Sequence, residues 1–236
     1  MSHQCEDEHH SHRHSPPPIP TNSNQSLYQF IDTSKLRCLN VTSNGANQFP
    51  PCFIKPQDQK YDVSKYLETD ADCQMLLHIP FTGDVRIFSL ILRCSKAEDG
   101  CGSPKSIKLY KNFNKNIDFE TISDSKESYH MESPEDVGIA SDGSVNTVED
   151  DSTFVEHHLP RHVFQNCNSI TLFFENNWSE DEDDLTRCYY LELRGEFTAK
   201  RTPHDGMPQL AVYEAAPNPA DHQKLENEQE SASLGM

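Results

Sequence analysis

The amino-acid sequence predicts an all-β protein, an antiparallel β-sandwich of the jelly-roll type. Eight or nine short apolar segments are separated by turn-forming residues, and there are few helix candidates. Strand-like and helix-like segments do not alternate regularly, as they would in a parallel sheet. About forty core side chains at roughly 2 kcal/mol each would support a single hydrophobic core. We therefore expect one domain.

The centre of the sandwich is predicted to be a β-hairpin. Two apolar segments, residues 74–79 and 84–93, flank the sequence Pro-Phe-Thr-Gly at 80–83. Proline cannot donate to a neighbouring strand and glycine tolerates positive φ, so this sequence predicts a loop of about five residues. Both faces of the second segment are apolar, which predicts a strand covered on both sides.

The other elements follow in chain order. The ordered part is expected to begin at residues 27–31, with a brief helical turn at 62–68. Further strands are predicted at 38–41, 52–54, 107–111, 154–155, 170–174, 189–193 and 210–213. In the strand at 189–193, the side chains of Tyr189, Leu191 and Leu193 should share one face. Four apolar side chains could anchor an edge strand or a loop onto the core: Phe113, Ile117, Phe119 and Ile122.

The composition divides the chain into three parts. Residues 1–26 are rich in histidine and proline and predict a disordered tail, residues 27–222 form the domain, and 223–236 form a second tail. A polar, acidic insertion is expected at about 123–151 within the domain. The histidines of the first tail could hold nickel or zinc weakly, but we favour a flexible extension.

The net charge of −18 is concentrated in two segments. Residues 118–151 carry eleven acids and one lysine, and residues 180–184 are all acidic. Such loops repel phosphate backbones, so no nucleic-acid ligand is expected. The acidic loops either favour a basic partner surface or serve solubility alone.

No segment resembles a membrane span or a signal peptide, so we expect a soluble intracellular protein without a membrane partner. The eight cysteines include no Cys-x-x-Cys pair, which disfavours a dithiol redox site and a zinc ribbon. Without a secretory route, a disulfide framework is not expected either. Several of the thiols should be small buried hydrophobes.

A search for catalytic motifs finds neither Gly-x-Ser-x-Gly, a phosphate-binding glycine loop, nor His-Glu-x-x-His. His157, His158 and His162 could approach a metal, but the first two would point to opposite faces of a strand. Pro160 would interrupt a helix through all three. We therefore predict no catalytic residue, metal or cofactor, and a protein that is not an enzyme.

Two polar or aromatic features have two interpretations each, and a third carries a single hypothesis. Asp70 and Asp72 could bind a cation or act as an acid/base pair, but such a pair more often caps a turn. Trp178 is either a binding anchor or a core residue. Ser179 precedes acidic residues, so it is a hypothetical phosphorylation site.

Five stretches stand out in order along the chain: Ser-Lys-Tyr at 64–66 leading to Asp-Ala-Asp at 70–72, Ile-Pro-Phe-Thr-Gly at 79–83, Leu-Tyr-Lys-Asn at 109–112, Leu-Arg-Gly-Glu at 193–196, and Asn-Pro-Ala-Asp-His at 218–222. Together they resemble the PITH domain, the proteasome-interacting module found at the C-terminus of a thioredoxin-like protein and also on its own. The resemblance spans roughly residues 27–222 and implies a sandwich of the galactose-binding-domain-like kind. This chain lacks a thioredoxin domain and its dithiol, so redox activity does not carry over.

The resemblance implies a non-enzymatic adaptor that binds the proteasome regulatory particle or a related complex, in cytoplasm and nucleus. We expect a monomer. The segment 213–222 is polar and poor in core residues, so it is either a partner-binding segment or a strap across the sandwich. The partner-binding candidates are Asp70, Asp72, Phe81, Arg194, Glu196, Tyr213, Asn218, Asp221 and His222. The alternative function is a jelly roll that binds a carbohydrate or another small ligand.

Overall fold

A computed structural model describes residues 19–44, 53–96, 101–139, 150–179, 181 and 183–200. All of them belong to the first of two compact units, Met1–Arg201 and Thr202–Met236. The strands in the described residues are β1 Arg37–Leu39, β2 Val41–Asn44, β3 Tyr66–Thr69, β4 Met75–Cys94, β5 Cys101–Gly102, β6 Pro104–Lys111, β7 Tyr129–Glu132, β8 Val155–His158, β9 Cys167–Asn177 and β10 Leu185–Lys200. The same residues contain one α-helix, α1 Phe119–Ser123, and 3₁₀ turns at Ser23–Gln25, Tyr28–Phe30, Thr33–Lys35, Gln57–Gln59 and Asp151–Thr153.

Strand β4 belongs to both layers of the sandwich. Its first part pairs with β1 and β9, which gives a first sheet in the order β1-β4-β9-β6-β7. Its second part pairs with β10 and β8, which gives a second sheet in the order β2-β3-β10-β4-β8. Nearly all pairings are antiparallel; the short β5 runs parallel to the start of β10. The predicted antiparallel jelly-roll sandwich is therefore confirmed.

The predicted hairpin is wrong, because residues 75–94 form one strand. The two apolar segments pair with different strands rather than with each other, and the ladder between β4 and β9 is irregular from Pro80 to Val85. Proline disrupts a ladder locally, and here it marks the bend at which β4 leaves one sheet for the other. The Pro80 carbonyl accepts a hydrogen bond from the Asp32 N–H at 2.9 Å. The prediction that the second segment is covered on both sides is confirmed.

The main core lies between the two sheets. It contains Leu77 and Ile79 from the first part of β4, Leu92 from its second part, Leu172 of β9 and Leu191 of β10. A smaller apolar cluster covers the outer face of the first sheet and contains Leu76, Tyr110, Ile122 and Phe173, with Phe113, Ile117 and Phe119 packed against it. The four predicted anchoring residues thus hold the segment after β6 on the sheet, Phe113 and Ile117 from a loop and Phe119 and Ile122 from α1, so the loop alternative is right and the edge strand is not.

Several local predictions differ from the structure. Phe53 and Ile54 are buried but do not form a strand, and residues 66–69 form β3 rather than a helical turn. Part of the predicted acidic insertion is β7, which pairs with β6. An irregularity between Cys188 and Tyr190 interrupts the alternation of β10. As a result Cys188, Leu191 and Leu193 lie in the main core and Tyr189 does not.

Other predictions are confirmed, need a shifted boundary, or concern residues that the structure does not describe. Cys94, Cys167 and Cys188 are free thiols within the main core, as expected for small buried hydrophobes. Residues 21–27 already contact the sandwich, since the Leu27 N–H donates to the Leu193 carbonyl at 2.8 Å. The predicted strand at 210–213 lies outside the described residues. Among the described residues, no helix has the length and apolarity needed to cross a membrane.

Candidate functional site

The outer face of the first sheet carries a groove of about 410 Å³, here called the basic groove. Residues 34–37 line it where the chain enters β1, His78 and Pro80 line it from β4, and residues 113–115 with Ile117 line it from the segment after β6. The inward neighbours of His78 on β4 are core residues, so alternation along the strand turns His78 outward. The groove is thus built on paired strands.

The charge of the basic groove is opposite to that of the whole chain. Lys35, Arg37 and Lys115 line it, and none of its ten lining residues, all of them described, is acidic. Lys35 forms an ion pair with Asp32 at 2.8 Å, just outside the lining. Lys115 Nζ donates to Ser125 Oγ at 3.1 Å. The side chain of Arg37 is exposed and makes no hydrogen bond or ion pair within the described part of the chain.

His78 is held in its place in the groove by strand pairing. It lies opposite Arg37 on one side and Thr171 on the other, and its Nδ1 shares a hydrogen bond of 2.8 Å with Thr171 Oγ1. Burial, and then the positive charge of Arg37, lower the pKa of His78 below its usual value. The imidazole is therefore neutral at neutral pH and leaves Nε2 for a further hydrogen bond.

The apolar part of the groove is formed by side chains that also pack inside the protein. Leu36 belongs to the main core, whereas Phe113 and Ile117 pack against the outer cluster. The ring of Phe113 meets that of Tyr110 edge-on, with 5.7 Å between their centroids. The groove therefore combines fixed apolar side chains with exposed cations at its rim. Sequence reasoning missed it.

Asp70 and Asp72, two predicted candidates, lie in the turn before β4. Asp72 Oδ1 accepts hydrogen bonds from the Gln74 N–H at 2.8 Å and from Asn40 Nδ2 at 2.7 Å. The favoured interpretation of a turn cap is thus confirmed for Asp72. Asp70 is exposed, and its backbone N–H donates to the Asn40 carbonyl. The structure does not bring these two residues to the basic groove.

Phe81, Arg194 and Glu196 occupy three different environments. Phe81 is 7% exposed and belongs to the main core. Arg194 Nε donates to Glu192 Oε1 at 3.2 Å and its Nη1 to Thr21 Oγ1 at 3.3 Å, which fixes the segment before β1 on β10. Glu196 is exposed and forms an ion pair with Arg86 at 3.3 Å.

Gly195, between Arg194 and Glu196, has a packing role. A Cβ at this position would lie 1.9 Å from the Arg86 carbonyl oxygen, because β10 and β4 approach closely at an irregularity of their ladder. Asn112, which belongs to the motif at 109–112, has a positive φ of 51°. Its Oδ1 accepts from the Asn168 N–H at 2.8 Å. These motif residues position strands and turns.

The remaining candidates, Tyr213, Asn218, Asp221 and His222, lie outside the described residues, and their roles stay predictions.

Trp178 is partly buried: its Nε1 donates to the Ser133 carbonyl at 2.8 Å, and Lys105 Nζ lies 4.4 Å from its ring centroid. Ser179 Oγ donates to Asp184 Oδ2. No group of three or more metal-binding side chains occurs among the described residues, those around His157 included.

Fold and site together define a jelly-roll module: a β-sandwich that presents a basic surface groove. The PITH domain model matches residues 17–217, and the chain belongs to the PITH domain family.

Relatives from distant eukaryotes match most of the chain. PITH domain-containing protein GA19395 of Drosophila pseudoobscura pseudoobscura is 32% identical over 197 residues, which cover 84% of this chain and 80% of that protein. PITH domain-containing protein P35G2.02 of Schizosaccharomyces pombe is 31% identical over 214 residues, or 90% of each chain. Human PITH domain-containing protein 1 is 30% identical over 206 residues, covering 87% and 84%.

Solved structures of similar architecture include the C-terminal domain of a chitobiase from Bacteroides fragilis. It has a TM-score of 0.42 and 8% identity, and the match covers 71% of this chain and 97% of that one. The family 32 carbohydrate-binding module of NanJ from Clostridium perfringens, in complex with galactose, has a TM-score of 0.41 and 8% identity, with 70% and 97% covered. No ligand carries over from such remote likenesses.

Proposed function

We propose that this chain is a non-enzymatic protein-interaction module that binds a partner segment in the basic groove. The observation that carries the proposal is the groove itself, with its apolar side chains fixed by packing and its exposed cations at the rim. Protein interfaces concentrate their binding energy where an apolar or aromatic anchor fills a formed pocket. A polar rim then adds orientation and specificity.

The proposed partner is the proteasome regulatory particle or a related complex. Membership of the PITH domain family supports this choice, because the family is known as a proteasome-interacting module. The chain would act as a monomer, in cytoplasm and nucleus. A groove on the outer face of a sheet leaves both layers of the sandwich intact when a partner docks, which suits an adaptor.

Other candidates would extend the contact beyond the basic groove. Asp70 and Glu196 are exposed, so a partner could reach them outside the groove. Asp72 and Arg194 would support such contacts by holding the turn and the strand in position. The segment 213–222 remains the proposed second contact.

Carbohydrate binding is the competing function. Sugar sites combine exposed aromatic platforms with converging neutral polar groups. The lining of the basic groove, with three cations and a single phenyl ring, favours an anionic peptide over a neutral sugar. Titration of the full chain against a glycan panel tests this alternative directly.

Affinity purification from cells that express the tagged full chain at endogenous level tests the proposal. Three variants are compared with wild type by quantitative mass spectrometry: Arg37→Glu/Lys115→Glu, the milder Arg37→Gln/Lys115→Gln, and Lys65→Glu as a control. Lys65 is exposed and does not line the groove. We expect wild type and the control to recover regulatory-particle subunits, and both groove variants to lose them. If wild type recovers no such subunits above a tag-only sample, the proposed partner is wrong.

A further inference from the structure

The lining of the basic groove is informative about the chemistry of its occupant. The chain has a net charge of −18, so its long-range field repels anions. Within about one Debye length, roughly 8 Å at physiological salt, the nearest charges dominate. At the groove these are the lining cations Lys35, Arg37 and Lys115, which outnumber the two nearby acids, Asp32 beside Lys35 and Asp118 next to Ile117. The groove therefore attracts negative charge locally although the chain as a whole is acidic.

The three cations differ in how far they are already neutralised. Lys35 has Asp32 as its ion-pair partner, whereas Lys115 contacts only the neutral hydroxyl of Ser125 in the described structure. The side chain of Arg37 is exposed and lacks an ion-pair or hydrogen-bond partner among the described residues. Arginine can bind a carboxylate through two parallel hydrogen bonds. Arg37 and Lys115 are thus the cations available for an anionic ligand.

The groove also has room and surface for an apolar side chain. Its volume of about 410 Å³ is in the range of ligand pockets. Pro80, Phe113 and Ile117 line it, and the last two are held by the outer apolar cluster. Burial of an apolar side chain against this fixed surface costs little rearrangement. A purely polar ligand would leave the apolar lining unused.

His78 adds a neutral polar group at the base of the groove. Because its Nδ1 is engaged by Thr171, Nε2 is the ring nitrogen left for a ligand. A neutral imidazole can exchange a hydrogen bond with a peptide backbone without a charge of its own. It can therefore orient a bound chain.

We propose that the basic groove binds an acidic peptide segment that carries one large apolar side chain, with acidic residues flanking it on both sides. This inference rests on the proposed function and specifies the partner segment. Arg37 and Lys115 would bind the flanking carboxylates, and the apolar side chain would lie against Pro80, Phe113 and Ile117. A basic partner surface, one of the two interpretations of the acidic loops, would then concern those loops and not this groove.

The test uses the full chain and a fluorescein-labelled glutamate-rich peptide with one central phenylalanine, followed by fluorescence polarisation. Comparison peptides replace the glutamates by lysine or the phenylalanine by alanine. We expect saturable binding of the first peptide, no binding of the lysine peptide, and several-fold weaker binding of the alanine peptide. Binding should weaken as salt rises from about 50 mM to about 500 mM.

The variants assign the binding to the groove. Arg37→Glu/Lys115→Glu should weaken the glutamate peptide about tenfold or more, since two attractive contacts become repulsive. Arg37→Gln/Lys115→Gln should weaken it less, and Lys65→Glu should bind as wild type does. Circular dichroism of each variant verifies the fold.

Three results would overturn the inference: no saturable binding of the glutamate peptide to wild type, equal binding by wild type and both groove variants, or tighter binding of the lysine peptide than of the glutamate peptide. Failure of the proposed function is a separate result. If the groove variants still lose the regulatory-particle subunits while the peptide does not bind, the adaptor role holds and the acidic-segment chemistry is wrong.

Discussion

Acidification should destabilise the sandwich through His157, and the structure gives the size of the effect. His157 lies on β8 opposite Leu90 of β4, with Nε2 3.3 Å from Ser133 Oγ. Burial, and then the charge of His158, lower the pKa of His157 from 6.5 to about 4. Between these values the unfolded chain is protonated and the folded chain is not. The free energy of unfolding therefore has its full value above pH 6.5 and falls as the pH drops toward 4.

The magnitude follows from the two pKa values. At pH 5 nearly all of the unfolded histidine is protonated, against about a tenth of the folded one, so the free energy of unfolding falls by about 2 kcal/mol relative to pH 7. At pH 4 and below the loss approaches about 3 kcal/mol. Measured against a typical total of roughly 5–15 kcal/mol, this is a large fraction.

Urea unfolding at pH 7, 6 and 5 measures the effect, with the single tryptophan, Trp178, as a fluorescence probe. For a slope of about 2 kcal/mol per molar, the wild-type midpoint should fall by about 1 M between pH 7 and pH 5. His157→Gln should remove most of this dependence. His78→Gln should remove a smaller part, because the pKa of His78 is lowered in the same direction. Equal pH dependence in wild type and His157→Gln would refute the reasoning.

Three further predictions concern the motifs. Gly195→Ala should lower the free energy of unfolding by about 2–3 kcal/mol, because the added Cβ would overlap the backbone of β4. Glu196→Ala, the control, should change it by less than about 1 kcal/mol. Chemical denaturation compares the two variants, and a Gly195→Ala protein as stable as wild type would contradict the close approach of β10 and β4. Asp72→Ala should cost about 1 kcal/mol through loss of the turn cap, and Asp70→Ala less than about 0.5 kcal/mol; equal effects in thermal melts would disprove this assignment. Deletion of residues 216–236 should leave Tm unchanged and reduce recovery of the partner; a lower Tm would favour the strap over the binding segment.

The strands could be predicted from sequence where a segment is apolar and short of turn residues, as at 107–111, 170–174 and 189–193. The long strand β4 could not, since local signals do not distinguish a loop from a bend. Pro80 and Gly83 favour a turn locally, but the partners that keep β4 extended are β9 and β10, which lie far away in the chain. Pairing with distant strands therefore overrode the local preference.

The basic groove was inaccessible to sequence reasoning for a similar reason. Lys35 and Arg37 lie at β1, whereas Lys115 follows β6, and β4 and β9 lie between these two strands in the first sheet. Only the path of the segment after β6 brings the three cations together. The one usable signal was the presence of basic residues at 35–37 in a chain of such strong negative charge. The motifs, by contrast, pointed to Asp72, Arg194 and Gly195, which hold the scaffold through hydrogen bonds and close packing.

Direct binding of the full chain to purified proteasome regulatory particle, measured by biolayer interferometry, tests the central claim. We expect wild type and Lys65→Glu to bind saturably with equal affinity, and Arg37→Glu/Lys115→Glu to bind about tenfold or more weakly. Absence of binding by wild type, or equal affinity of the groove variant, would contradict the account.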